Sequence, residues 1–245
     1  MKTIYAFALF TVLLCFAGCV ENEMKEYEND PAIYFYWDSR LQHDSIHHSF
    51  FLLNSEIKQD TVWVRINTMG KLEPVDRPIA VVQTNTGKPG AAVPGVHYQA
   101  FDSPGIKELM VVRSNKWYAL LPVVFLRDPS LDLTTVRLEL EVVGNDYFRP
   151  GIDALRKFVL STTTQAVKPG NWDTFWYRFF GPTWGSVKMR LIIDATGYKE
   201  WDLEPNDIYF TQYLRGLVIQ KLEEYNLGHP DDPLREANGE LVVFD

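Results

Sequence analysis

The 245-residue chain is 46% hydrophobic and 14% aromatic, enough to build a packed core, and carries a formal charge of −8. With that acidic balance and no run of Lys or Arg longer than two, nucleic acid is excluded as a partner, because such binding rests on clustered cations that neutralise phosphates. The length suits two small domains behind a targeting segment.

The targeting segment comes first. Lys2 opens it, an apolar run from Ile4 to Phe16 follows, broken only by Thr11, and the run ends in Ala17-Gly18-Cys19. The apolar stretch falls short of the roughly 20 residues of a permanent membrane span, so residues 1–18 read as a cleaved signal peptide. Of the two cysteines, Cys15 would leave with the signal, and no disulfide pair would remain. Small residues directly before Cys19 resemble a bacterial lipobox, although Phe16 stands where Leu is usual. Cleavage before Cys19 and lipidation of its sulfur are expected. The remaining 227 residues lose one lysine and no acid, leaving 23 basic and 32 acidic side chains, a charge of −9. Residues 19–30 hold five acids in Val20–Asp30 against the single Lys25, a composition too polar to fold alone, and form an expected flexible tether. An acidic stretch after a lipidated cysteine also resembles the surface-export signal of Bacteroidetes lipoproteins.

From Pro31 onward the chain reads as successive strands. Ala32–Trp37, Thr61–Ile66, Pro78–Gln83, Leu109–Val112, Trp117–Leu121, Thr135–Val143 and Arg156–Leu160 are rich in β-branched and aromatic residues, with Gly and Pro turns between them. In Thr135–Val143, Val136, Leu138, Leu140 and Val142 share one face and Arg137, Glu139 and Glu141 the other, so one side is core and one is wet. The polar segment Ser39–Ser49 reads as an excursion between strands. Residues 31–168 are therefore expected to form an antiparallel β-sandwich of immunoglobulin-like type.

After Lys168-Pro169-Gly170 the period changes, and residues 169–245 read as a smaller helix-rich C-terminal domain. Ser186 is the expected cap of a helix ending near Gly197, and Asn206 that of a longer one whose apolar residues recur at helical spacing from Ile208 to Tyr225. Asn238-Gly239 predicts a turn before a short extended run, Leu241–Phe244.

The tether leading into Asn29-Asp30-Pro31-Ala32-Ile33-Tyr34-Phe35, the segments Gly95-Val96-His97-Tyr98 and Trp184-Gly185-Ser186-Val187-Lys188, and the ending Glu224-Tyr225-Asn226 with Gly239–Phe244 together resemble the DUF4843 family of Bacteroidetes lipoproteins. The resemblance covers essentially the whole mature chain. It implies a setting rather than an activity: members commonly stand beside SusC-like and SusD-like outer-membrane uptake proteins. Gly95-Val96-His97-Tyr98 also resembles the Gly-x-Asp-Tyr element of Calx-β domains, with His97 in place of Asp. Calcium takes six to eight oxygens, and Asp102, Glu108 and carbonyls do not supply them, so Tyr98 is expected to pack inside instead.

Chemistry-bearing constellations are sparse. None of the five histidines stands in a His-Glu-x-x-His motif. His43 with His47 or His48 has metal-ligand spacing only if helical, and no metal is expected there. The carboxylates Glu139 and Glu141, and the group Glu200, Asp202, Glu204 and Asp207, read as solvated faces. The aromatic run Trp172, Phe175, Trp176, Tyr177, Phe179, Phe180 and Trp184 has two competing uses. It packs a core, or it exposes Trp172, Trp176 and Trp184 to a ligand or partner.

These readings combine into an expectation of a lipid-anchored outer-membrane protein facing the medium, with no cofactor beyond the lipid on Cys19 and no catalytic residues. It would act as a non-catalytic accessory of a SusC/SusD-like nutrient uptake system, handling glycan or peptide. Surface glycan binding through the Trp172–Trp184 cluster is the first alternative, and a hydrolase the second.

Overall fold

The computed structural model describes residues 30–37 and 45–244. The signal peptide, Cys19 and the tether up to Asn29 lie outside the described residues, as do His43 and Asp44. Ten strands are present in the described part: β1 (Ala32–Phe35), β2 (Ser45–Ser49), β3 (Gln59–Met69), β4 (Arg77–Pro78), β5 (Ala80–Gln83), β6 (Val111–Val112), β7 (Tyr118–Leu126), β8 (Val136–Val143), β9 (Arg149–Pro150) and β10 (Lys157–Thr163).

They form one sheet in the order β7-β3-β1-β9, a second in the order β2-β10-β8-β5, and the small pair β4-β6. Ile33, Phe35, Val64, Ile66, Leu121 and Val123 from the first sheet meet Val81, Leu138, Leu140, Val142, Phe158 and Leu160 from the second in one continuous core. Each such side chain contributes about 1.5–3 kcal/mol when fully buried, so this interleaving drives the sandwich. The alternation expected for β8 is present, with Val136, Leu138, Leu140 and Val142 buried.

Three features depart from the sequence reading. Ser45–Ser49 is a strand, not an excursion; it lies parallel to β10, and His47 and His48 bind the hydroxyls of Ser161 and Thr162, each at 2.8 Å. These side-chain ties replace the β-branched composition that normally marks a strand. β1 also pairs parallel with β9, so the sandwich is not purely antiparallel. β7 runs on through Pro122 to Leu126, which its edge position in the sheet allows, because a proline without an N–H can face away from β3, its neighbour in the sheet.

The helical part contains a π-turn, Trp172–Trp176, then α2 (Tyr177–Phe180), α3 (Ser186–Thr196) and α4 (Ile208–Gly228), while the short α1 (Pro104–Lys107) belongs to a sandwich loop. Trp172, Trp176, Phe180, Met189, Ile192, Trp201, Leu214 and Val218 form a second core. A single 3-10 turn, Phe50–Leu52, serves both cores, with Phe50 in the first and Phe51 and Leu52 in the second. Two arginines hold that turn by its carbonyls: Arg127 Nη2 donates to Phe50 and Asn54, and Arg190 donates to Phe51 and Leu53. Both cores lie within one compact unit, Pro31–Asp245.

The helix caps differ from expectation in an informative way. For α4 the cap is Asp207, one residue after Asn206, and its Oδ1 accepts from the N–H groups of Tyr209 and Phe210. Gly197 ends α3 in the left-handed conformation at φ 64°, as expected. At the start of α3, however, Ser186 is the first helical residue and its hydroxyl caps nothing. The carboxylate of Glu236, from the C-terminal tail, accepts from Val187 N–H at 3.0 Å and Lys188 N–H at 2.7 Å. A negative charge on the orphan donors of a helix N-terminus is favourable on both hydrogen-bonding and dipole grounds.

Glu236 approaches so closely that a Cβ built at Gly185 would overlap its carboxylate. Gly185→Ala is therefore expected to expel the cap, and both Gly185→Ala and Glu236→Ala to lower stability by about 0.5–2 kcal/mol. In urea unfolding the double variant should cost clearly less than the sum of the two, because both remove the same pair of hydrogen bonds.

Candidate functional site

The outward side of the β7-β3-β1-β9 sheet carries an aromatic platform. In β3 the residues Val64 and Ile66 point into the core, so Trp63, Arg65 and Asn67 point out. Register then sets their neighbours: Arg65 faces Leu120 and Asn67 faces Tyr118 across β7, while Asn67 faces Tyr34 across β1 and Tyr36 N–H donates to the Arg65 carbonyl. Trp63 is 52% exposed and Trp117 50%, with Tyr36, Trp37 and Leu120 also exposed.

Arg65 organises this surface. Its guanidinium carbon lies 4.6 Å from the ring centre of Tyr36, 4.5 Å from that of Trp117 and 4.8 Å from that of Tyr118. Each such contact contributes about 0.5–1 kcal/mol at an exposed site, so together they hold three rings to one planar group. Its Nε donates to Asn67 Oδ1 at 2.9 Å.

Trp117 is delivered by a braced turn. Asp76 accepts from Arg113 Nη1 at 2.7 Å and from Ser114 N–H at 2.8 Å, Asn115 adopts φ 56°, and Asn115 N–H donates to the Glu73 carbonyl. Asparagine is among the few non-glycine residues that enter this left-handed region readily.

The sequence reading missed this platform. Its signal was present, since alternation within Thr61–Ile66 puts Trp63 and Arg65 on one face, but the pairing that brings Tyr36 and Trp117 beside them is non-local.

The aromatic cluster that the sequence did single out lies elsewhere. Trp172 and Trp176 have no exposed surface, and Trp184 is partly buried against the same core. Trp176 Nε1 donates to the Trp201 carbonyl at 2.7 Å, and its ring packs on Phe175, Phe180 and Trp201. As ligand contacts, Trp172 and Trp176 are thus corrected to core residues: the helical part is small, and large rings are what fill its interior.

His48 likewise serves structure. His48 is buried between Phe50 and Phe125, with Nε2 donating to Asp60 Oδ2 at 3.2 Å and Nδ1 accepting from Thr162. That hydrogen bond holds the Asp60 carboxyl below the usual carboxylate range. An Asp-His-Thr trio has the composition of a nucleophilic site, but Thr162 is fully buried, so its hydroxyl reaches no substrate. Among the described residues no group of three metal-ligating side chains converges.

Carboxylates are dispersed in the same way. Glu139 pairs with Arg137 and Glu141 with Arg156 on the outer face of β8. A cavity of about 370 Å³ between α4 and the C-terminal tail contains Glu223 alone among acids, and one of about 270 Å³ beside β5 contains Asp102 alone. Glycoside hydrolysis in its usual form takes two facing carboxylates.

A family model described as a domain of unknown function, DUF4843, matches residues 27–198, and the chain belongs to that family. No curated protein sequence matches it. Among solved structures, the chain is similar to a protein of unknown function from Bacteroides ovatus, at 16% identity and a TM-score of 0.35 over 53% of this chain and 43% of that one. It is also similar to a two-domain protein of unknown function from Bacteroides fragilis, at 7% identity and a TM-score of 0.35 over 55% and 46%. A third similar structure, a provisionally assigned carbohydrate-binding protein from Bacteroides ovatus, matches at 13% identity and a TM-score of 0.32 over 55% and 37%. The match thus spans less than half the length of each of these structures.

The element Gly95-Val96-His97-Tyr98 is a braced loop. Tyr98 is buried, its hydroxyl donates to Gln83 Oε1 at 2.7 Å, and Gln83 Nε2 in turn donates to the Ala92 carbonyl. Burial, with Asp102 nearby, pushes the Tyr98 phenol up to about 12. His97, 7% exposed, accepts from Val93 N–H through Nδ1 and donates through Nε2 to Ser130 Oγ, which donates to Asp128. The backbone donor at Nδ1 requires neutral imidazole, and burial lowers the His97 pKa. Its contribution is therefore complete above the ordinary histidine value of about 6.5 and is lost as pH falls below it. His97→Gln should flatten the decline in urea midpoint between about pH 7 and pH 5; an unchanged decline would assign the acid sensitivity elsewhere.

Proposed function

We propose that this DUF4843 protein is a lipid-tethered, non-catalytic accessory on the cell surface, which holds carbohydrate on its aromatic platform at the mouth of a SusC/SusD-like outer-membrane uptake system. The observation that carries this reading is the group of rings fixed around Arg65 (Tyr36, Tyr118 and the half-exposed Trp117), with the half-exposed Trp63 two residues along the same strand face. Sugar rings present an apolar C–H face to such rings, and their hydroxyls take the polar group set among them, here Arg65, which the buried Asn67 holds through its Nε. A rigid strand scaffold lowers the ordering cost of binding, and a lipid tether raises local concentration, so even weak contacts become occupied.

Anchoring fits the same picture. Among the described residues no helix is long and apolar enough to cross a membrane. Lipid at Cys19 would supply about 0.8 kcal/mol per buried methylene, and more than one acyl chain makes attachment stable.

Two measurements test the proposal. In affinity electrophoresis through polysaccharide gels, Trp63→Ala and Trp117→Ala should each weaken retention by at least about tenfold, while Tyr209→Ala on α4 leaves it unchanged. Absence of retention on a broad polysaccharide panel would refute carbohydrate binding. For the anchor, Cys19→Ala should move the protein from the membrane fraction to the soluble fraction.

A further inference from the structure

We infer that the platform takes an acidic carbohydrate, with Arg65 receiving the carboxylate of a uronic acid unit while the neighbouring rings stack on the sugars. This rests on the reading of the platform as a carbohydrate site and names its substrate class.

The charge environment of Arg65 carries the argument. Arg113, Arg137, Arg156 and Arg190 have carboxylate partners, and of the described arginines without one, such as Arg77, Arg127 and Arg215, only Arg65 lies against three aromatic rings. Arg65 has no carboxylate partner among the described residues; its one protein hydrogen bond runs from Nε to the neutral Asn67, which leaves both Nη groups available. The side chains that flank it on the outward face are Tyr36 just after β1, Trp63 and Asn67 from β3, Trp117 just before β7, and Tyr118 and Leu120 from β7, none of them acidic. On a chain of net charge −8, the centre of the platform is thus a cation without a counter-charge among the described residues.

The chemistry of that cation narrows the ligand. A guanidinium is permanently charged, and its planar fork matches two carboxylate oxygens at once. Packing against three rings restricts its rotamers before any ligand arrives, so little further entropy is lost on binding. A neutral sugar would use Arg65 only for ordinary hydroxyl contacts, whereas a uronate satisfies both its charge and its geometry. The half-exposed indoles of Trp63 and Trp117 remain for adjacent sugar rings.

The test compares polyuronates (polygalacturonate, alginate, hyaluronate) with their methyl-esterified forms and with neutral β-glucan, by affinity electrophoresis and calorimetry on the soluble chain lacking its signal. Wild type should bind at least one polyuronate about tenfold or more tightly than its ester, and Arg65→Gln should erase that preference. Arg65→Lys, which keeps the charge without the planar fork, should retain part of it. Equal affinity for acid and ester in the wild type overturns the inference, and this comparison needs no variant to fold. An unchanged acid preference in Arg65→Gln overturns it as well. If neutral glucan is retained and Trp63→Ala abolishes that retention while no polyuronate is preferred, the carbohydrate reading stands and the acidic specificity falls. If no polysaccharide is retained, both fall together.

Discussion

Successive side chains of a strand point to opposite faces, and in β3 this period of two ties the core to the platform. Val64 and Ile66 are buried at the centre of the sandwich, so Trp63, Arg65 and Asn67 stand on the outer face. A slip of one residue would turn Arg65 into the apolar interior, where an unpaired charge costs several kcal/mol, and would push Val64 and Ile66 into water. The same register, read across to β1 and β7, brings Tyr36 and Tyr118 to the guanidinium. The stability of the sandwich and the coherence of its surface therefore share one physical origin.

A second dependence joins the helical part to the sandwich. Apolar packing alone is non-directional, and the contacts that orient the helices are polar side chains bound to carbonyls or to helix-end N–H groups. Arg190 on α3 donates to Phe51 and Leu53, and Arg215 on α4 donates to Phe179 and Phe244. Lys188, buried on α3, donates to the carbonyls of Phe180 and Thr183. Glu236 closes the circuit by capping α3 from the tail. Each bond satisfies a backbone group that would otherwise be orphaned at the end of a helix or turn, which is costly in a protein interior.

Local patterns were legible and partnerships were not. The alternation of β8, the helical spacing of α4 and the left-handed Gly197 are properties of a few consecutive residues, and each reads directly from the chain. The strand at Ser45–Ser49 was obscured because its pairing uses His47 and His48 against hydroxyls more than a hundred residues away. The cap of α3 was misassigned to Ser186 for a similar reason, since its true acceptor is Glu236, fifty residues on, and the space for it is made by Gly185.

The aromatic residues separate the two levels most sharply. Sequence by itself determined that the chain belongs with β-rich proteins carrying a helical C-terminal part, because periodicity and turn chemistry act over short range, and it marked Trp172, Trp176 and Trp184 as a dense cluster. Tertiary structure decided which rings meet solvent. A tryptophan is buried or exposed according to what packs against it from elsewhere in the chain, so the dense local cluster became core, while Tyr36 and Trp117, some eighty residues apart, were gathered at Arg65 by strand pairing, beside Trp63 on the same face of its strand.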